Sequence, residues 1–198
     1  KSAFSAVISN SRLWLAGALE MLVYLVTYSI KAFLPLYALY AADFNLLAVG
    51  LFFTVQETTH LVMRPIGGRF GDRAGYLAAI NTGYLVLVVG LSLLPYATAH
   101  VELLAIAVVI GAGQGLIFPS TVAFVSRCVD TRHLGAGMGF LGAVRNFGKV
   151  AGPLTAGVLL TRMDYSQVFH LGGTVALLVV LTFLLLQKNY LKWNFLGS

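Results

Sequence analysis

A few ionisable and hydrogen-bonding side chains stand inside long apolar stretches of this sequence, and these residues have the means to do chemistry. They are Glu20, Tyr24, Glu57, His60, Gln114, Arg145 and Lys149. A carboxyl or imidazole group can carry a proton, while Arg and Lys can bind an anion. Because such groups are costly to place inside a membrane, each is a candidate for binding a solute or moving a proton there.

The spacing of the N-terminal members of this set places them on one helix face. Tyr24 and Lys31 follow Glu20 by four and eleven residues, which are positions that share a face in an α-helix. This face either lines a cavity or packs as a polar stripe against a neighbouring helix. The long side chain of Lys31 can also reach the membrane interface.

Glu57 and Arg145 are expected at similar depths in the membrane. Glu57 lies about 16 Å along its helix from one side, and Arg145 lies about 15 Å along its own helix from the other. We therefore expect the two side chains to meet near the midplane, with His60 relaying a proton to Glu57. An acid–base pair that only fixes helix packing predicts the same spacing. Lys149, one turn deeper, needs a counter-charge, water or an anionic ligand.

The composition places most of the chain in a membrane. Of 198 residues, 59% are hydrophobic and only 10% are charged, whereas a soluble domain carries about 25% charged residues. This composition excludes a soluble enzyme, a nucleic-acid-binding protein and a disordered tail. The single cysteine, Cys128, excludes an internal disulfide or a cysteine metal cluster. We find no pattern for another metal site or a cofactor.

Six apolar runs are long enough to cross about 30 Å of hydrocarbon as helices. They lack the alternation of period two that is typical of a membrane β-barrel. The sequence therefore predicts an all-α membrane protein, a single bundle over residues 1–198 with helices at about 13–40, 46–67, 77–98, 101–126, 135–161 and 166–187.

Basic residues are distributed unevenly between the two sides of this predicted bundle. The connections after the odd-numbered helices hold one, Arg162. The opposite side holds nine: Lys1, Arg12, Arg64, Arg69, Arg73, Arg127, Arg132, Lys188 and Lys192. Because loops rich in Lys and Arg stay in the cytoplasm, we expect both termini on the cytoplasmic side of the inner membrane. The start at a lysine suggests a segment of a longer protein.

The segment after the second helix carries a recognisable pattern. Gly68, Asp72, Arg73 and Gly75 match the G-x-x-x-D-R-x-G signature, and the segment resembles the loop that joins the second and third helices in each half of the major facilitator superfamily. Tyr76 replaces the basic residue usual after the last glycine. The resemblance implies a six-helix half built of 3+3 inverted repeats, in which this loop gates the cytoplasmic side.

A second pattern lies in the fifth predicted helix. Gly139, Gly148, Gly152, Pro153 and Gly157 resemble a signature of drug–proton antiporter branches of the same superfamily, with Ala156 in place of one glycine. Small residues allow close helix packing in lipid, and Pro153 can loosen the helix. Ordinary glycine-rich packing explains the pattern equally well.

The resemblance covers half of a twelve-helix transporter. In first halves the fourth helix often carries an arginine four residues before a glycine-rich segment. Here Ala107 precedes Gly111, which favours the C-terminal half. Gln114 lies in that segment, where the glycines either pack closely or let the helix open towards a cavity. The expected partners are the lipid bilayer and a missing half or a second copy.

The resemblance implies secondary active transport of a small organic solute by alternating access, and not an enzyme. We expect proton-coupled efflux, with the substrate and protons passing the intramembrane polar residues. Two alternatives remain open. One is an uptake carrier for an organic anion or a sugar, and the other is a receptor or assembly module that retains the fold without transport.

Overall fold

The computed structural model describes residues 9–40, 42 and 44–195, and within these ranges the regular structure is entirely helical. Lys1 and the side chains of Lys188 and Lys192 lie outside the described part. Short 3-10 turns follow the third and fourth long helices. The long helices are α1 (Ser11–Tyr40), α2 (Leu46–Ala74), α3 (Tyr76–Leu93), α4 (His100–Cys128), α5 (Leu134–Leu160) and α6 (Tyr165–Phe195).

The predicted helix positions agree with the structure to within two residues except at the ends of α2, α3 and α6. Helix α3 ends at Leu93 and not at residue 98, because a 3-10 turn that contains Pro95 follows it, and α6 continues past residue 187 to Phe195. The prediction ended α2 at residue 67, but the helix continues to Ala74, so Asp72 lies in its last turn and not in a loop. Pro65 and the glycines of this segment suggested a turn, yet Gly67 and Gly71 are buried helix contacts. Residue Gly75 alone separates α2 from α3.

Five of the described helices are long and apolar enough to cross a membrane. They are α1 to α4 and the Tyr165–Thr182 part of α6. Helix α5 spans 27 residues but is not among the five. Because Arg145, Asn146 and Lys149 stand in its middle, its hydropathy is lower than that of its neighbours.

Helix α4 occupies the centre of one group of helices and packs against α2 and α3. Gly111 and Gly115 face α2, where an added Cβ on either would collide with that helix. Gly113 faces α3, and a Cβ there would lie 2.7 Å from the Gly83 carbonyl oxygen. Since α4 runs unbroken through this segment, its glycines serve close packing in this structure.

Helices α1 and α5 form the second closely packed pair. A Cβ on Gly148 would lie 2.6 Å from the Met21 carbonyl oxygen, and one on Gly152 would collide with the α1 backbone at Leu25. Gly139 has open space around it within this unit, so its expected packing role stays a prediction. The other two positions of the pattern are less constrained. A Cβ on Gly157 would lie at an ordinary contact distance from Phe33, and α5 continues as a helix through Pro153.

This contrast gives a stability prediction with a matched control in the same helix. We expect Gly148→Ala to lower the free energy of unfolding by about 1–3 kcal/mol, because the new methyl group overpacks the α1–α5 contact. Gly139→Ala should leave stability unchanged or raise it by up to about 1 kcal/mol, because alanine favours helix. Thermal unfolding of both purified variants in detergent checks this, and equal melting temperatures would contradict the assigned contact.

Candidate functional site

A buried ion pair joins α1 to α5. Arg145 donates two hydrogen bonds to Glu20, from Nε to Oε2 at 2.8 Å and from Nη2 to Oε1 at 3.1 Å. The Glu20 side chain is fully buried, while 23% of the Arg145 side chain is exposed. Because the two charges neutralise each other in a fixed fork geometry, this pair is suited to holding the two helices together.

A second ion pair joins α1 to α2 and is far more exposed. Lys31 Nζ lies 2.8 Å from Glu57 Oε1, and the two side chains are 33% and 49% exposed. Exposed pairs contribute little to stability. This pair can therefore form and break without unfolding the bundle.

His60 continues this cluster on α2. Its Nδ1 lies 3.4 Å from Glu57 Oε2, and Arg64 Nε donates to its Nε2 at 3.3 Å. Because Nε2 accepts a hydrogen bond, the proton of the neutral ring belongs on Nδ1, facing the Glu57 carboxylate. Lys31, Glu57, His60 and Arg64 thus form a continuous line of hydrogen-bonding groups.

The prediction that Glu57 meets Arg145 is wrong. Arg145 is bound to Glu20 and Glu57 is bound to Lys31, and both of these partners lie on α1. Helix α1 contacts both α2 and α5. Two residues at equal depth on different helices need not be neighbours. Here the charged residues of α1 lie closer to Glu57 and Arg145 than these two lie to each other.

An aromatic row crosses the same region from α1 to α2. The ring of Tyr24 lies 6.1 Å from that of Tyr28 and 4.9 Å from that of Phe118 on α4, measured between centroids. Phe118 in turn lies 4.9 Å from the His60 ring. Sequence reasoning missed Tyr28 and Phe118. The spacing of four residues from Tyr24 to Tyr28 could have indicated the first, but Phe118 is defined by helix packing alone.

Lys149 lies beside this row on α5. Its Nζ is 5.3 Å from the Tyr24 ring centroid and 5.6 Å from that of Tyr28. The Arg145 guanidinium carbon is 5.9 Å from the Tyr24 centroid. The structure therefore brings Tyr24, Arg145 and Lys149 together as one cluster. We use the name polar face for three parts taken together: this cluster, the aromatic row and the Lys31–Arg64 line.

Gln114 takes part in a buried hydrogen-bond network. It accepts a hydrogen bond from Gln56 Nε2 at 3.0 Å and donates to Thr27 Oγ1 at 2.9 Å, and all three residues are buried. The network satisfies the amide groups and links α1, α2 and α4. Gln114 is thus placed to position the helices behind the polar face.

Side-chain contacts around Asp72 hold the α2–α3 junction. Its Oδ1 accepts a hydrogen bond from Tyr76 Oη at 2.9 Å, and the Arg127 guanidinium lies 5.0 Å from the Tyr76 ring centroid. Tyr76, the departure from the signature, therefore links α2 to α4. Gly75 has φ of 94°, a conformation that L side chains rarely adopt. Gly68 has open space around it, and Arg73 is exposed in the last turn of α2.

A separate cavity of about 170 Å³ lies between α1, α5 and α6. Most of its lining is aliphatic, and its two hydroxyl-bearing residues, Ser29 and Thr155, both donate to the Gly152 carbonyl oxygen at 2.9 Å. These hydroxyls are therefore already satisfied. The cavity offers hydrophobic surface and is not part of the polar face.

Comparison with known families decides where this bundle belongs. Residues 16–197 match the family model described as Major Facilitator Superfamily, which is nearly the whole chain. The chain belongs to the major facilitator superfamily. Proteins of this superfamily carry solutes across membranes, and the polar face accordingly belongs to a multi-pass membrane protein of a transporter family.

Three curated proteins are similar to part of this chain. An uncharacterized MFS-type transporter of Mycobacterium tuberculosis, Rv1250, is 29% identical over 118 residues, which are 60% of this chain and 20% of the relative. The uncharacterized MFS-type transporter YuxJ of Bacillus subtilis is 27% identical over 129 residues, 64% of this chain and 32% of the relative. The riboflavin transporter RibZ of Clostridioides difficile is 22% identical over 113 residues, 57% of this chain and 25% of the relative. The matched segments thus span about a third or less of these superfamily members.

Proposed function

We propose that this chain is one half of a secondary transporter that exports a small organic solute in exchange for protons. The observation that carries the proposal is the exposed Lys31–Glu57 pair with His60 beside it. A carboxylate that is paired but accessible can gain a proton in one conformation and lose it in another. Membership of the superfamily supports solute transport, and this cluster supports the coupling of that transport to protons.

The polar face needs a partner that this six-helix unit does not provide. Glu57 and much of the apolar surface of α2 and α5 are exposed, including Leu61, Phe147 and Leu154. Exposing ionised groups to lipid is unfavourable. We therefore propose that a second six-helix half, or a second copy, covers this face and closes the solute site between the two. The missing arginine at Ala107 favours the C-terminal half.

Proton exchange at Glu57 gives this arrangement a switch. With Glu57 ionised, its carboxylate holds Lys31 and so ties α1 to α2. Protonation of Glu57 removes the charge attraction to Lys31, and the contact between the two helices is then weakened at this point. His60 can deliver its Nδ1 proton to Glu57 when its Nε2, freed from Arg64, takes up another. The exchange leaves His60 neutral and Glu57 protonated.

The remaining parts of the unit fit supporting roles in alternating access. The Asp72–Tyr76–Arg127 contacts at the α2–α3 junction are suited to stabilising one end of the bundle when it is closed. The nine-to-one distribution of basic residues supports a cytoplasmic location for that end and for both termini. The aromatic row offers flat surfaces on which an organic ring can stack, and one relative is named as a transporter of riboflavin, a ring compound.

Reconstitution of the full-length protein tests the proposal. Proteoliposomes with an imposed pH gradient are screened with a panel of labelled organic solutes, against liposomes that carry no protein. We expect at least one solute to move against its own gradient, and to stop when a protonophore collapses the pH gradient. Facilitated flux that ignores the pH gradient would contradict proton coupling. A protein that binds solutes but moves none would be a receptor that retains the fold.

A further inference from the structure

In the part of the chain that the structure describes, two cations of the polar face, Arg64 and Lys149, lack a carboxylate partner. Arg64 donates to the His60 ring, which leaves Lys149 with aromatic contacts alone. Arg145 is bound to Glu20, and Lys31 is bound to Glu57. In the described part of the chain, no Asp or Glu oxygen lies within 4 Å of Lys149 Nζ. A half-buried ammonium group without a counter-charge is unfavourable, which makes it a favourable place for an anion to bind.

Two tyrosine rings hold this ammonium group without neutralising it. Tyr24 and Tyr28 stand one helical turn apart on α1, and the Lys149 Nζ approaches both rings within 5.6 Å. Attraction to the electron-rich ring faces orients the lysine. Its positive charge is preserved, since an aromatic ring carries no net charge. The rings also provide apolar surface directly beside the charge.

The charge balance of the whole polar face points the same way. It carries four permanent cations, Lys31, Arg64, Arg145 and Lys149, against two carboxylates, Glu20 and Glu57. Arg64 is engaged by the neutral ring of His60. The surplus positive charge favours a solute that brings negative charge into the membrane with it.

We infer that Lys149, Tyr24 and Tyr28 form a subsite for an aromatic anion, a solute with a carboxylate or sulfonate group on a flat ring. Lys149 Nζ donates to the anionic oxygen, and the solute ring stacks against the tyrosines. This inference rests on the proposed transport function, because it names the class of solute that the transporter carries. It adds a preference for negatively charged solutes, which neither the fold nor proton coupling requires.

Equilibrium binding to the full-length protein in detergent tests the subsite. Three probes that share a naphthalene ring and are of similar size are compared by calorimetry: naphthalene-2-carboxylate, its neutral methyl ester, and the cationic (2-naphthylmethyl)trimethylammonium. We expect the carboxylate to bind wild-type protein, and Lys149→Gln to weaken that binding tenfold or more, about the effect of one charge-assisted hydrogen bond. Lys149→Arg should keep affinity within a few-fold. Arg162→Gln, an exposed cation beyond the end of α5, should change nothing.

Several results would overturn the inference. They are undetectable binding of the carboxylate to wild-type protein, equal binding of the ester or the ammonium compound, and unchanged carboxylate affinity in Lys149→Gln. A melting temperature of ligand-free Lys149→Gln well below that of ligand-free Arg162→Gln would assign Lys149 to a packing ion pair with the other half. Binding needs no proton gradient, so these results stand apart from the transport test. Anion selectivity without proton-driven transport would reject the proposed function alone.

Discussion

Replacing Arg145 by Leu is expected to remove most of the folded protein from the membrane. The change leaves the Glu20 carboxylate fully buried without its bidentate partner. Breaking a buried ion pair on one side costs about 3–5 kcal/mol, which is a large part of the stability of an ordinary domain. Fluorescence-detected size exclusion of detergent extracts measures the folded fraction.

The double variant Glu20→Gln/Arg145→Gln separates lost charge from lost packing. With both charges removed, neither residue leaves an unpaired ion, so we expect more folded protein than in Arg145→Leu. Arg132→Leu, which removes an exposed arginine from the turn before α5, is the matched control and should behave as wild type. If Arg145→Leu is as stable as this control, the buried pair does not hold α1 and α5 together.

Glu57→Gln is expected to abolish solute accumulation driven by a proton gradient while leaving the protein folded. Glutamine keeps the size of the side chain but cannot exchange a proton. Because the Lys31–Glu57 pair is not part of the buried core of the bundle, its loss should cost less stability than breaking the Glu20–Arg145 pair. In proteoliposomes, gradient-driven accumulation should fall tenfold or more, whereas exchange of labelled for unlabelled solute should persist.

A carboxylate elsewhere in the bundle provides the control for this experiment. Glu102 accepts hydrogen bonds from the Thr98 and Ala99 backbone at 2.8 and 3.1 Å and so caps the start of α4. Glu102→Gln should weaken that cap without affecting proton coupling. A well-folded Glu57→Gln protein that still concentrates solute would show that Glu57 is not the coupling acid. The buried Glu20 would then be the next candidate.

Hydropathy was sufficient to predict the number and approximate position of the helices, because a membrane-crossing helix needs a long apolar run. The end of α2 was misplaced because glycine and proline also occur where helices pack closely. Gly67 shows this, since an added Cβ would collide with the α4 backbone at Gly115. A sequence pattern of small residues cannot distinguish a turn from a close contact.

The sequence could not predict which charged residues pair with each other, for a different reason. Distance along a helix gives depth, so the intramembrane positions of Glu57 and Arg145 could be expected. Which helices lie side by side depends on packing of the whole bundle, and α1 placed Lys31 and Glu20 nearer to them. The sequence predicts that Gly148 and Gly152 pack closely against another helix, but it does not predict that this helix is α1.

Infrared difference spectroscopy of the full-length protein, recorded on addition of a transported solute, tests the central claim most directly. The account predicts that solute binding changes the protonation of one carboxyl group, seen as a C=O stretching band of a protonated acid that rises or falls in wild-type protein. The band should be absent from Glu57→Gln and retained in Glu102→Gln. A spectrum with no such band, or a band that persists unchanged in Glu57→Gln, would contradict proton exchange at Glu57.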